Sequence, residues 1–321
     1  MNKLKIIIPR SILAVSILNT AIAFSGMSVA SRGLNQLAQA QQAGAQPVIN
    51  LTVMNYNIKG LGGLFGGNSK SLKRIAAEIV TKVQNGTAPD VILFQEVFSS
   101  DANKAVKSLN TPELYPFRVK GPDDSGHTYN SGLVALSRIP ILSNDLLAFG
   151  DQCSSWDCHA NKGAQLVTIK ADHWPEPIRI LNTHLQATNE FDDIRKQQIL
   201  ILKSFYAPIE SVQLNTIFAG DFNTKPNRPS YEFFKSQFKS LQNVGEYCLK
   251  NANCQVHPNV ASDLLLEATK DHQFYSCSGS SSMAPVNFVR NFSNEVDGLE
   301  LSDHKAYQVT YKIDWNIKGC L

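Results

Sequence analysis

NTIFAGDFN, residues 215–223, reads as a short apolar run, Ile217-Phe218-Ala219, closing on Gly220, Asp221 and Asn223. The run is short for a helix and carries β-branched and aromatic residues, so it predicts a buried strand with a carboxylate at its end. By itself the Gly-Asp-Phe-Asn ending is an ordinary turn, because Asp and Asn favour turns. The same pattern recurs elsewhere, and that changes its weight. INLTVMNYNI (49–58) runs into Asn57, DVILFQEV (90–97) into Glu96 and IRILNTHL (178–185) into His184. SGLVALS (131–137) and AQLVTIK (164–170) are further apolar strands, and AYQVTYKI (306–313) alternates, with Tyr307, Val309, Tyr311 and Ile313 on one face. SLKRIAAEIVTKVQ (71–84) sets Leu72, Ile75, Ala76, Ile79 and Val83 on one helical face, with Gly86 and Pro89 as stop signals. Helices are also expected near 190–206 and 229–239. Strands and helices in this alternation predict an α/β sandwich, two sheets packed face to face with helices outside.

The first thirty residues stand apart. Lys3, Lys5 and Arg10 precede an apolar run from Ile12 to Phe24, and Ser28-Val29-Ala30 offers a small-residue cleavage site. Ala38-Gln39-Ala40 offers another. Residues 1–30 are therefore expected to be a signal peptide, 31–47 a flexible leader rich in Gln, Ala and Gly, and 48–321 a single catalytic domain. A secreted or periplasmic monomer without a transmembrane segment follows as the expectation. The chain has 30 basic and 27 acidic residues, and residues 1–30 hold three basic and no acidic ones, leaving 27 against 27. A near-neutral chain without a strong Lys/Arg cluster argues against stable nucleic-acid binding.

Six cysteines accompany this leading segment: Cys153, Cys158, Cys248, Cys254, Cys277 and Cys320. With an export signal, disulfides are the natural reading, and no CxxC pair supports a zinc site. Cys153–Cys158 and Cys248–Cys254 are close enough to close small loops, while the full connectivity stays open.

An apolar strand fixes a position and its polar end projects into a cleft, so several such ends can converge on one rigid site. Taken singly, Glu96 reads as a solvated strand end and His184 as a core histidine. Their order along the chain is what matters. The segments NYN (55–57), FQEV (94–97), SGLVALSRIPI (131–141), NTHLQA (182–187), AGDFN (219–223), DHQFY (271–275) and SDH (302–304) together resemble the metal-dependent endonuclease/exonuclease/phosphatase superfamily. The resemblance spans about 50 to 313. It implies a DNase I-like four-layer α/β sandwich of two mixed sheets, with the site at one edge of the paired sheets.

Members of that superfamily cut different phosphoesters, so membership leaves the substrate open. CSSWDCHANKGAQLVTIK (153–170) is similar to the segment that marks the neutral sphingomyelinase branch, in which an Asp and a Lys five residues apart gate the substrate. Asp157 and Lys162 match in type and spacing. QEVFSSDANKAVKSLNTPELYPFRV (95–119), THLQA (183–187), Arg195 and Gln198 fit the same branch. The segment departs from that branch at 278–301, which is polar and tryptophan-free where relatives carry an aromatic hairpin. The loop KGLGGLFGG (59–67), with Leu61, Leu64 and Phe65, reads either as an apolar substitute for that hairpin or as a loop beside the site, and it lacks the ending of a nucleotide-binding loop.

The resemblance implies hydrolysis of sphingomyelin, or a related phospholipid at a membrane surface, to ceramide and phosphocholine. Glu96, Asn57 and Asp303 would ligate Mg²⁺, with Mn²⁺ or Co²⁺ able to replace it. His304 would act as general base, oriented by Asp271, while Asp221 positions water or approaches a second metal. Asn223, His184 and Asn130 would donate to phosphoryl oxygens, and Asp157 with Lys162 would control access. A secreted nuclease or a phosphoinositide phosphatase of the same fold is the alternative, and a catalytically dead binding module is the reading from another class.

Overall fold

Where the sequence turns apolar, the chain becomes a strand. The structure, a computed structural model, describes residues 46–62, 68–123, 126–265, 269–292 and 295–320. The expected signal peptide, nearly all of the leader, and Leu64 and Phe65 of the 59–67 loop lie outside these residues.

The first strands are β1 (Val48–Asn57), β2 (Val91–Gln95), β3 (Phe117–Lys120), β4 (Val134–Ser137) and β5 (Ile141–Ala148). Next come β6 (Gly163–Ile169), β7 (Ile178–His184), β8 (Thr216–Asp221), β9 (Gln242–Asn243) and β10 (Gln255–Val256). The last are β11 (Asp271–Ser276), β12 (Ser282–Arg290), β13 (Glu295–Val296), β14 (Leu299–Glu300) and β15 (Tyr307–Asp314). The helices are α1 (Ser69–Gln84), α2 (Ser100–Ser108), α3 (Asp192–Glu210), α4 (Pro229–Gln237), α5 (Val244–Lys250) and α6 (Pro258–Leu265).

One sheet has the order β10-β12-β15-β1-β2-β4-β3 and the other β5-β6-β7-β8-β11-β9. Near the middle of each lies a parallel pair, β1 with β2 and β7 with β8, flanked by antiparallel neighbours, so both sheets are mixed.

Side chains alternate across a strand, so every second residue faces the opposing sheet. Leu51 and Val53 of β1, Val91 and Leu93 of β2, Ile178 and Ile180 of β7, and Ile217 and Ala219 of β8 fill one buried inter-sheet cluster. Burying such side chains contributes roughly 1.5–3 kcal/mol each. One step further along, the same faces turn polar. Gln95 Nε2 donates to Asn182 Oδ1 at 2.7 Å, and Gln273 Nε2 donates to Asn55 Oδ1 at 3.0 Å. A buried amide left unpaired costs roughly 1–3 kcal/mol, so these amides are retained in pairs across the interface. The next residues in the alternation are Asn57, His184 and Asp221. The inter-sheet layer thus passes from aliphatic through amide to ionisable along one direction, and the last step is the site.

Helices cover the outer faces. Leu72, Ile75 and Ile79 of α1 pack on Met54, Tyr56, Ile92 and Phe94. Ile199 and Leu202 of α3, with Phe234 of α4 and Phe238 just after it, pack on Leu166, Leu181 and Phe218. The result is the four-layer sandwich expected from the sequence. The polar 278–301 region differs from its reading: β12 is an inner strand, because Met283 and Phe288 reach the core. After it, Asp297 and Gly298 at φ 53° and 74° turn β13 into β14, the left-handed pair that a two-residue hairpin requires.

The cysteines pair as Cys153–Cys158, Cys248–Cys254 and Cys277–Cys320. The first two close the small loops read from the sequence. Among the described residues, no helix is long and apolar enough to cross a membrane.

Candidate active site

The parallel register sets Asn57 beside Gln95 and His184 beside Asp221, while the antiparallel β8–β11 pair sets Asp271 beside Asp221. Three sequence-distant strand ends are thereby held in one row. Gly220 makes this approach possible: at φ +144°, a Cβ there would lie 2.1 Å from the Thr183 carbonyl oxygen.

Around this row the polar atoms meet across the two sheets. Asn57 Nδ2 donates to Glu96 Oε1 at 2.8 Å and to Asp221 Oδ2 at 3.1 Å. Its oxygen accepts from the Lys59 backbone at 3.0 Å. Asn57 therefore reaches both carboxylates through its nitrogen, while its oxygen is held by the Lys59 backbone. Glu96 itself sits at φ +60°, a strained conformation for a side-chain-bearing residue. Burial pushes its carboxyl above the ordinary range, against the opposing pull of Asn57 and Lys162.

His304 enters from the loop before β15. Its Nδ1 lies 2.9 Å from Asp271 Oδ2, and its Nε2 lies 3.6 Å from Asp221 Oδ2. Ser302 Oγ donates to the Asn57 carbonyl at 2.7 Å and accepts from the His304 backbone at 3.1 Å, tying this loop to the end of β1. Burial lowers the His304 pKa, but Asp271 and Asp221 outweigh it and hold the ring protonated up to about 10. Burial pushes the Asp221 carboxyl up, but His304, His184, Lys162 and Asn57 together pull it further down, to about 2.

His184 is fully enclosed, and burial together with the Lys162 charge drives its pKa down to about 3, so it is neutral. Lys162 Nζ lies 2.7 Å from Asp157 Oδ2, 2.9 Å from the Leu185 oxygen and 3.1 Å from His184 Nε2. Three acceptors match the three protons of an ammonium. The expected Asp157–Lys162 pair is thus present, and it bears on the site through His184. Asp157 also accepts from the Ala187 backbone at 2.6 Å.

The remaining expected residues fall at the margins. Asn223 Nδ2 donates to the Leu185 oxygen at 3.0 Å, and its backbone donates to Asp221 Oδ1 at 2.9 Å. Asp303 is half-exposed and pairs with Lys59 at 3.4 Å, outside the carboxylate cluster. Asn130 Oδ1 caps the Gly132 backbone at 2.8 Å, and Asn130 lines a small neighbouring cavity with Asn103 and Asp123.

Among the described residues, two groups of side chains have the geometry to hold a cation: Glu96, His184 and Asp221, and then Asp221, Asp271 and His304. Within each, the candidate ligand atoms lie within 4.8 Å of one another. Glu96 and Asp221 supply hard oxygens, and burial makes two adjacent carboxylates costly without a compensating positive charge. The donor set fits a divalent ion.

A mixed two-sheet sandwich carrying a His–Asp dyad and clustered carboxylates at one edge defines a metal-site hydrolase architecture. The chain belongs to the Endonuclease/Exonuclease/phosphatase family, whose model matches residues 54–304. It is similar to Sphingomyelinase C 2 of Leptospira interrogans serogroup Icterohaemorrhagiae serovar Lai (strain 56601), 28% identical over 172 residues. That match covers 46% of this chain and 26% of the relative, so the chain spans only about a quarter of that protein's length. Among solved structures, sphingomyelinase C from Streptomyces griseocarneus superposes with a TM-score of 0.60 at 17% identity, covering 82% of this chain and 99% of that one. D. rerio TDP2 complexed with single-strand DNA product gives 0.59 at 17% identity, covering 82% and 98%. Both likenesses are of fold.

Proposed function

We propose that this protein is a divalent-metal-dependent phosphodiesterase that hydrolyses sphingomyelin to ceramide and phosphocholine. The observation that carries the reading is the buried Asp157–Lys162–His184 chain set against the Glu96–Asp221 carboxylates. The resemblance of that loop to the sphingomyelinase branch and the Leptospira relative support it.

The chemistry follows from the atoms. Asp271 holds the His304 ring through Nδ1 and leaves Nε2 facing the cluster. Nε2 takes a proton from a water lying between it and phosphorus, and that water attacks in line while the P–O bond to ceramide breaks on the opposite side, the departing oxygen taking its proton from solvent water. Glu96 and Asp221 would hold a divalent cation such as Mg²⁺, which would supply neutralisation of the charge developing in the reaction. Asp221 aligns the water, and Asn57 keeps both carboxylates at one spacing. Lys162, paired with Asp157, gates the phosphate position and turns to it when substrate displaces the pair. Secretion and a lipid surface as the working environment complete the proposal.

A second reading rests on the other side of His304. A cavity of about 280 Å³ there is lined by Lys225, Lys270 and Lys305 as well as Asp271, Asp303 and His304. Such lysines suit a polyanionic headgroup, which is the phosphoinositide alternative. The experiment is a parallel assay of sphingomyelin, phosphatidylcholine, a phosphoinositide and plasmid DNA, each with Mg²⁺ and with chelator. Mg²⁺-dependent turnover of sphingomyelin above the others supports the first reading; turnover confined to the phosphoinositide or DNA replaces it.

A further inference from the structure

A cavity of about 340 Å³ opens directly from the site, with Glu96, Lys162 and His184 on its inner wall. Its outer walls are Leu61, Phe98, Tyr129, Trp156, His159 and Ala160. Three aromatic side chains from distant parts of the sequence meet there, and each is held in place. The Phe98 ring lies where a side chain on Gly132 would be: a Cβ at that position, at φ +69°, would come within 2.6 Å of the ring. The Phe98 and Tyr129 ring centroids are 6.0 Å apart. Tyr129 donates its backbone N–H to the His159 oxygen at 2.8 Å and accepts from the Asn161 backbone at 3.0 Å, which fastens it to the loop carrying Asp157. Trp156 lies within the loop closed by Cys153–Cys158, its ring centroid 5.5 Å from that of His159. It is 73% exposed, so the loop displays a large aromatic face at the cavity mouth.

Among the described residues lining this cavity, Lys162 is the one ammonium, and its three protons already have acceptors. The described lining therefore offers π-faces and the Asp157 carboxylate, and its one ammonium is already engaged. Aromatic faces with a nearby carboxylate are the environment that recognises a quaternary ammonium, with each ring face contributing about 0.5–2 kcal/mol.

Resting on the phosphodiesterase reading above, we infer that this cavity is the headgroup subsite and takes the trimethylammonium of a phosphocholine ester. A substrate whose chains stay in a bilayer can bring only its small headgroup into such a recess. With phosphorus at the Glu96–His184 end, the two-carbon linker of choline carries the ammonium outward toward Tyr129 and Trp156.

The test compares kcat/KM, at saturating Mg²⁺, for p-nitrophenyl phosphocholine and p-nitrophenyl phosphoethanolamine. These esters share the phosphate and the leaving group and differ only by three methyl groups. The wild type is expected to prefer the choline ester by roughly tenfold, and Tyr129→Leu and Trp156→Leu to lower that ratio by roughly threefold to tenfold each. Calorimetric binding of phosphocholine against phosphoethanolamine to the wild type reads the same preference without turnover and without a variant. Equal kcat/KM for the two esters, with equal binding of the two headgroups, overturns the subsite and leaves the phosphodiesterase reading intact. Selective phosphocholine binding without turnover of either ester does the reverse. Vesicles of sphingomyelin and of phosphatidylcholine then separate the two lipid sources of the same headgroup.

Discussion

His304 is protonated to about pH 10 in the structure as it stands, because Asp271 and Asp221 both face it. A protonated imidazole is no base, so the positive charge of a bound cation beside Asp221 is needed to bring the ring toward neutral pH. A titration of the His304 ring by NMR in the metal-free protein should show it charged throughout the neutral range, and Mg²⁺ should release its proton at lower pH. Titration near 6.5 with and without Mg²⁺ contradicts the account. His304→Ala should lower kcat by about 10²–10⁴-fold with an unchanged circular dichroism spectrum. Asp157 behaves oppositely. Burial raises its pKa, but Lys162 and the Ala187 N–H pull it below the usual carboxylate range. Its contribution to stability is thus fully present above the unfolded value of 3.8 and fades as pH falls through the lower folded value. Asp157→Asn should flatten the acid limb of a stability-against-pH curve and leave Lys162 short of one charged partner.

At the scale of the element, the loop between β5 and β6 carries the Asp157–Lys162 pair, and α3 holds it through the loop after β7. Arg195 is fully buried and donates to the Gln186, Thr188 and Asn189 carbonyls and to Asp192 Oδ1. Gln198 accepts from the Gln186 backbone at 2.8 Å and donates to the Gln152 oxygen at 2.7 Å, and Gln186 in turn bonds both backbone groups of Ser154. The 152–163 loop is therefore hung from α3. Arg195→Ala leaves Asp192 with Arg228 at 2.7 Å but strips the donor from three loop carbonyls, and each buried acceptor left unpaired costs about 1–3 kcal/mol. Urea unfolding should show that loss, and Arg195→Lys should recover only part of it, since one ammonium replaces a fork of donors.

Which parts were legible in the sequence follows from how each part is built. Strand ends at Asn57, Glu96, His184 and Asp221 could be read because an apolar run ending in a polar residue is a local pattern, and the register merely carries them together. The roles of Asn57 and Asp303 were less legible, because which amide atom faces a carboxylate, or whether Lys59 claims Asp303, is decided by tertiary neighbours. Phe98, Tyr129 and Trp156 carry no shared local pattern at all. They become neighbours only through the bridge between Tyr129 and Ala160 and the turn at Gly132. The β13–β14 hairpin, by contrast, had its signal in Asp297-Gly298, a pair whose left-handed backbone is what a two-residue turn needs.

For the whole molecule, the central claim is that residues from both sheets form one cation-dependent hydrolytic site. Asn57, Glu96 and His304 come with one sheet, and His184, Asp221 and Asp271 with the other. A cation bridging them should raise the thermal midpoint as Mg²⁺ is added, by mass action on the folded state alone. The most direct measurement is phosphocholine release from sphingomyelin as Mg²⁺ is titrated, for the wild type, Glu96→Gln and His304→Ala. The account predicts no release without metal, a roughly tenfold or greater rise in the Mg²⁺ needed by Glu96→Gln, and release by His304→Ala lowered about 10²–10⁴-fold at every Mg²⁺ concentration. Metal-independent release by the wild type, or wild-type Mg²⁺ dependence in Glu96→Gln, would contradict it.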